Sequence, residues 1–156
     1  ASTPSRSSLL AAEKTGALVR QLAENSSLVR AEFSSFASEV KDENMGAFSG
    51  IKNNISHLDA SRTKITDRSM TLAGSYPNLN WISLRNTKIT DNGLKPLTKL
   101  QFLQYINLSG TQVTDKSIST LASMKSLNEI YLWNSQVTES GAKKLRESLP
   151  DAKIIF

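Results

Sequence analysis

Three kinds of residue in this chain can do chemistry, and their spacing limits what that chemistry is. His57 is the only histidine, and Asp59 follows two residues later. Residues two apart on a strand share a face, so the pair has the form of a general base and its orienting carboxylate. No serine or cysteine nucleophile motif accompanies it, and a solvated surface histidine is the expected state. A metal site needs three or four ligands. His57, Asp59 and Glu129 cannot supply them, because Glu129 stands three strands away, roughly 14 Å at the usual strand spacing. The third set is aromatic: Trp81, Tyr105, Tyr131 and Trp133, with Arg85 beside them. Aromatic and Arg side chains anchor protein interfaces. An aromatic lining equally suits sugar rings or a proline-rich peptide. No constellation supports catalysis, and the chain is expected to carry no cofactor and no metal.

The element that gathers these residues is an internal repeat. Ile65-Thr66-Asp67 returns as Ile89-Thr90-Asp91, Val113-Thr114-Asp115 and Val137-Thr138-Glu139, each 24 residues on. Other columns keep the same spacing: Ile55, Leu79, Leu103 and Leu127; Leu58, Ile82, Ile106 and Ile130; Ala60, Leu84, Leu108 and Leu132; Thr63, Thr87, Thr111 and Ser135. Met70, Leu94, Ile118 and Ala142 form a later column, and Ala73, Leu97, Leu121 and Leu145 another. A gapless period of this length implies one supersecondary unit stacked on its neighbours. Ile82 and Leu84 are two apart and face inward from a short strand. The hydroxyl column falls where the chain turns after the strand, so it is expected to satisfy backbone groups there. Thr90 is a good N-cap and Asp91 suits the positive end of a helix dipole. Gly93 and Pro96 predict a short or irregular helix after it.

The positions that flank the inward residues then share the opposite, concave face. They are His57, Asp59 and Ser61; Trp81, Ser83 and Arg85; Tyr105, Asn107 and Ser109; Glu129, Tyr131 and Trp133. Arg62, Lys64, Asn86 and Lys88 extend the rim. The bland alternative is that these residues only pack on their cross-strand neighbours.

The ends serve as caps. Residues 1–6 read as a linker or trimmed terminus. Residues 7–52 read as a helical cap, with a helix over Ser7 to Glu24, and a degenerate first repeat at an offset of 25. In that repeat Phe33 matches Leu58, Val40 matches Ile65, Asp42 matches Asp67 and Met45 matches Met70, with a strand near Val29 to Ser35. Residues 53–148 hold the four repeats. Pro150 stops the last helix, and 149–156 read as a terminal strand.

Composition agrees with a thin, elongated interior. The chain has 156 residues, 38% of them hydrophobic, and a formal charge of +5. Its basic residues are spread along the sequence, so a nucleic-acid stripe is not expected. There is no cysteine, which excludes thiol catalysis and thiolate metal sites. No 18-residue apolar run is present to span a membrane. The sequons at Asn25, Asn54 and Asn107 matter only in a eukaryotic secretory setting.

The unit L-x-x-L-x-L-x-x-T-x-[IV]-T-[DE] resembles the leucine-rich-repeat superfamily, in its I-T-D-x-G-L, ribonuclease-inhibitor-like flavour. The resemblance implies an α/β right-handed solenoid with a concave parallel sheet, short convex helices and an N-terminal helical cap. Gly16 to Ala23, Ser27-Leu28, Phe33, Ile55 to Asp59, Leu108 to Asp115 and Tyr131-Leu132-Trp133 also look like the C-terminal repeats of bacterial membrane proteins with a planctomycete-type cytochrome c domain. With no cysteine here, no haem attachment carries over. That likeness implies a periplasmic or otherwise extracytoplasmic repeat domain of a longer protein. The expected role is binding of a protein, peptide or glycan by a monomer, with no nucleic acid. A second reading is a structural spacer or assembly domain of a membrane-anchored c-type cytochrome protein, which self-associates or docks through Ile154 to Phe156.

Overall fold

The computed structural model describes residues 1–33 and 37–156. One seven-stranded sheet runs in chain order. β1 (Leu18–Gln21) pairs antiparallel with β2 (Val29–Glu32). Every later pairing is parallel, through β3 (Ile55–Asp59), β4 (Trp81–Ser83), β5 (Tyr105–Asn107), β6 (Glu129–Tyr131) and β7 (Lys153–Ile155). From β3 to β7 the register steps by one repeat, aligning His57, Trp81, Tyr105, Glu129 and Lys153. Ile82, Leu84, Ile106, Leu108, Ile130 and Leu132 are fully buried. They meet the buried residues of the returning segments, such as Met70, Leu97, Leu121 and Leu145, in one continuous core. Tyr76 lies wholly inside it. Its hydroxyl has no partner among the described residues, and burial pushes its pKa upward.

The returning segments are α2 (Asp42–Met45), α3 (Asp67–Ala73), α4 (Asp91–Leu94), α5 (Ile118–Ser123) and α6 (Glu139–Ser148). Gly93 and Pro96 act as the sequence predicts. α4 stops after four residues and continues as a 3-10 helix over Lys95–Lys99, with Pro96 in its first turn. α6 ends before Pro150, and β7 follows.

The turn after each strand is closed by the hydroxyl column. Thr63, Thr87 and Thr111 each donate Oγ1–H to the carbonyl three residues back, at 2.7, 2.6 and 2.6 Å. Ser135 instead accepts from the Val137 N–H. One residue earlier the chain must turn left-handed: Arg62, Asn86, Gly110 and Asn134 all have φ between +55° and +67°. Gly and Asn tolerate that region, whereas an ordinary side chain there costs roughly 1–2 kcal/mol.

A second column binds repeat to repeat. Asp67 accepts from the N–H and the hydroxyl of Thr90, at 2.8 and 2.5 Å. Asp91 does the same for Thr114 and Asp115 for Thr138. Asp42 does it for Thr66. Each Thr hydroxyl also accepts from the N–H of Arg68, Asn92, Lys116 or Gly141, capping its own helical turn. Ser69 and Ser117 donate a further hydroxyl bond to Asp42 and Asp91. At 93 and 141 the same position is Gly, and a Cβ there would overlap the Asp67 and Asp115 carboxylates.

The N-terminal end departs from its expected form. The helix predicted over Ser7 to Glu24 ends early: α1 spans Arg6–Glu13, and β1 begins at Leu18. The break is Gly16, whose φ of +87° turns the chain out of the helix. Residues 1–6 are not a free linker, because Ser5 caps α1 and the Ser2 carbonyl accepts from Asn54 Nδ2 at 2.7 Å. Asn54 is itself buried, so it is no sequon acceptor in the folded chain. The offset of 25 holds for Asp42, which bonds Thr66 as Asp67 bonds Thr90. It fails in the strand, where Ala31, not Phe33, aligns with Leu58. Two extra residues therefore lie between Phe33 and Val40, a span that includes 34–36. The part of the expected strand at Ser34 and Ser35 lies outside the described residues.

Burial raises the Asp42 and Asp91 carboxyl pKa values, but the bonds from Ser69 and Thr66, and from Ser117 and Thr114, outweigh it and bring them below normal. The Thr138 bonds lower Asp115. Groups lowered on folding stabilise the native state above their unfolded pKa, about 3.9, and lose that contribution as pH falls through the folded value. Asp91→Ala leaves three donors unmet and should cost about 2 kcal/mol in urea unfolding. It should also flatten the loss of wild-type stability below about pH 4. A variant as stable and as acid-sensitive as wild type would refute this ladder.

Candidate functional site

Helices and turns cover one face of the sheet and leave the other open. The open face carries two strand columns. The first is Arg30, His57, Trp81, Tyr105, Glu129 and Lys153; the second is Glu32, Asp59, Ser83, Asn107, Tyr131 and Ile155. Beyond the strands a third column, Ser61, Arg85, Ser109 and Trp133, borders the turns. Backbone bonds continue the sheet that far, from Arg62 N to Arg85 O, from Asn86 N to Ser109 O and from Gly110 N to Trp133 O.

The aromatic residues form a row because the register stacks them. His57 lies 6.0 Å from Trp81 at 18°, and Trp81 lies 4.6 Å from Tyr105 at 11°. Tyr105 meets Tyr131 diagonally, at 5.2 Å and 41°. Near-parallel rings cover one another's faces, so the row turns mainly ring edges to solvent. Trp133 stands apart from the stack and is 67% exposed. The site residues thus fall into a stacked, half-buried row and one exposed indole.

The polar members are individually constrained. Tyr131 donates its hydroxyl to Glu129 Oε2 at 3.1 Å, which holds the phenol protonated and raises its pKa. Burial chiefly raises the Tyr105 pKa; Asn107 and Arg85 oppose the rise, and Glu129 and Asp59 add to it. Asp59 and Asn107 each accept from the N–H two residues on, at 3.0 and 2.9 Å.

Two expectations are corrected here. His57 is half-buried rather than fully solvated. It is wedged beside Trp81, and its Nδ1 is buried without a partner among the described residues. Burial, then the positive charge of Arg30, lowers its pKa. Asp59 accepts from the Ser61 N–H and makes no bond with His57 Nδ1, so no His–Asp couple is formed through that nitrogen. Ser83 is not presented to a ligand either. It is buried, and its hydroxyl bonds that of Ser61 at 2.7 Å. A small side chain between Trp81 and Arg85 along the strand, and Asp59 and Asn107 across it, has no path to solvent. Among the described residues no group of three His, Asp or Glu side chains can hold a metal ion.

A further set went unread in the sequence: Asn80, Gln104 and Asn128, one before each strand. Their backbone joins the ladder, Gln104 N to Asn80 O and Asn128 N to Gln104 O, both at 2.8 Å. With Trp81, Tyr105 and Glu129 they line a shallow hollow of about 380 Å³. The period of 24 that revealed the aromatic row would have revealed this carboxamide row too.

Because folding lowers the His57 pKa, its ring should titrate below the ordinary 6.5. NMR titration of the ring protons checks this, and Arg30→Gln should move the midpoint upward. A midpoint at or above 6.5 would contradict the packing described.

Neither a protein-family model nor a curated protein sequence matches the chain. Solved structures do. It is similar to a leucine-rich-repeat protein of Leptospira interrogans, at TM-score 0.52 and 21% identity over 72% of this chain and 27% of that one. It is also similar to an internalin of Listeria monocytogenes, at TM-score 0.50 and 20% identity over 72% and 36% of the two chains. The chain spans only about a quarter to a third of those proteins. Mostly parallel strands stacked at 24 residues, and these likenesses, establish the leucine-rich-repeat fold for this chain.

Proposed function

We propose that the chain is a non-catalytic binding module that takes an extended peptide segment of a protein partner along its open face. The observation that carries this is the aromatic row of His57, Trp81, Tyr105 and Tyr131, flanked by the exposed Trp133. Rings held by neighbours lose little freedom on binding, which favours affinity. Their geometry favours a peptide over a glycan. A sugar stacks on a ring face, and the faces of Trp81 and Tyr105 are spent on each other. Ring edges carry positive partial charge and suit peptide carbonyls, while the carboxamides of Gln104 and Asn128 offer both donors and acceptors; that of Asn80 already donates to the Phe102 carbonyl. The resemblance of Gly16 to Ala23 and Leu108 to Asp115 to bacterial repeat tails supports an extracytoplasmic setting, within a longer protein. No helix among the described residues is long and apolar enough to cross a membrane.

Peptides selected from a displayed random library on the wild-type chain should bind Trp133→Ala and Tyr105→Ala at least ~10-fold more weakly, about 1.4 kcal/mol. Circular dichroism should show both variants folded. Unchanged affinities in both would remove this face from consideration.

A further inference from the structure

The basic residues are scattered in the sequence, but the repeat gathers four of them. Arg62 and Lys64 belong to the turn after β3, and Arg85 and Lys88 to the turn after β4. The backbone N–H of Arg62 bonds the carbonyl of Arg85 at 2.7 Å, so the two arginines are backbone neighbours across adjacent repeats, one position apart in register. Lys64 and Lys88 are equivalent positions in adjacent repeats, about 5 Å apart at the usual strand spacing. All four side chains are exposed. The same positions in the next two repeats are neutral: Ser109 and Trp133, Gly110 and Asn134, Gln112 and Gln136. The border of the open face is therefore cationic at one end and carries an exposed indole at the other. Glu32, Glu39 and Asp59 are the acidic neighbours on the N-terminal side, and Asp59 is engaged by the Ser61 N–H.

Arg62 adds an independent observation. It occupies the left-handed turn position, at φ +63°, where the other repeats place Asn86, Gly110 and Asn134. An arginine there is strained, and the fold has a better residue for that place. Backbone strain at an exposed, charged side chain points to a use for the side chain. Arg85 links this corner to the aromatic row, since it follows Trp81 and Ser83 at alternate positions on the open face.

We infer that the peptide segment taken by the open face is acidic at one end: its carboxylates meet Arg62 and Arg85, flanked by Lys64 and Lys88, while an apolar or aromatic residue reaches Trp133. The inference rests on the binding reading above and names the chemistry of its partner. Arginine suits this role because its planar donors engage a carboxylate bidentately.

The test uses the displayed random library, selected separately on wild type, Arg62→Asn, Arg85→Gln and Trp133→Ala. Arg62→Asn keeps the turn chemistry of its sister repeats, so its melting temperature should equal or exceed that of wild type. Wild type should enrich Asp and Glu at a fixed distance from an aromatic residue. Both arginine variants should lose the acidic enrichment and keep the aromatic one, and Trp133→Ala should do the reverse. The affinity of a selected acidic peptide should fall ~10-fold in Arg62→Asn and converge with the variant's as salt rises. Selected peptides without acidic enrichment would overturn this inference and leave the binding reading standing. No enriched peptide at all would sink both. A single-stranded oligonucleotide or heparin that bound the wild type through the same arginines, as tightly as the acidic peptide, would overturn it in favour of a general polyanion site.

Discussion

One carboxylate per repeat does two tasks, and the stack depends on its doing both. The aspartate at the start of each helical turn sits where the helix dipole favours a negative charge. Its oxygens also receive the backbone N–H and hydroxyl of the threonine that opens the next repeat's turn. Hydrophobic burial brings repeats together but is indifferent to sliding along the stack. Bonds from one fixed carboxylate to one fixed threonine are not. They hold successive turns one repeat apart, and the strands on the other side of the core inherit that register. The order of His57, Trp81 and Tyr105 on the open face is thus fixed in part by bonds on the far side of the molecule.

Much of this was legible because periodicity is a global signal. The apolar columns, the hydroxyl column and the short helix at Gly93 and Pro96 all follow from one period and the ordinary preferences of strand, turn and helix. What stayed hidden was pairing. A column shows that Asp67, Asp91 and Asp115 are equivalent, but not that each reaches forward to the threonine of the next repeat. The open face shows the same limit. Spacing put Ser83 on it, yet larger neighbours on all sides bury it. Spacing put His57 there too, but not its wedging between Arg30 and Trp81. The cap helix is shorter than its apolar pattern implies for a different reason. Leu10 to Leu22 has a helical apolar pattern, and one left-handed Gly16 divides it into a helix and a hairpin strand.

The open face combines two kinds of order. Its aromatic row is immobilised by its own members, and its border is graded from cationic to aromatic along the stack. For the proposed binding role, the first would supply a preformed surface and the second a direction. On the proposed reading, a segment laid along such a face would have a preferred orientation, because only one end of it would meet the arginines.

The register of 24 has a consequence for how a chain of this kind changes length. Inserting one residue within a repeat would set the helical-turn ladder against the strand ladder, and one of them must yield. The extra two residues between Phe33 and Val40 show where the chain tolerates such a mismatch: in the first, irregular unit, before the regular stack begins. Inside the stack, length is quantised. Adding or deleting a whole repeat restores every aspartate to a threonine and every strand to a neighbour. The open face then grows or shrinks by one strand width, about 4.8 Å, and gains or loses the outward side chains of that repeat. The reach of the face and the stability of the body therefore change together, since each added repeat brings one more strand pair and one more aspartate–threonine junction.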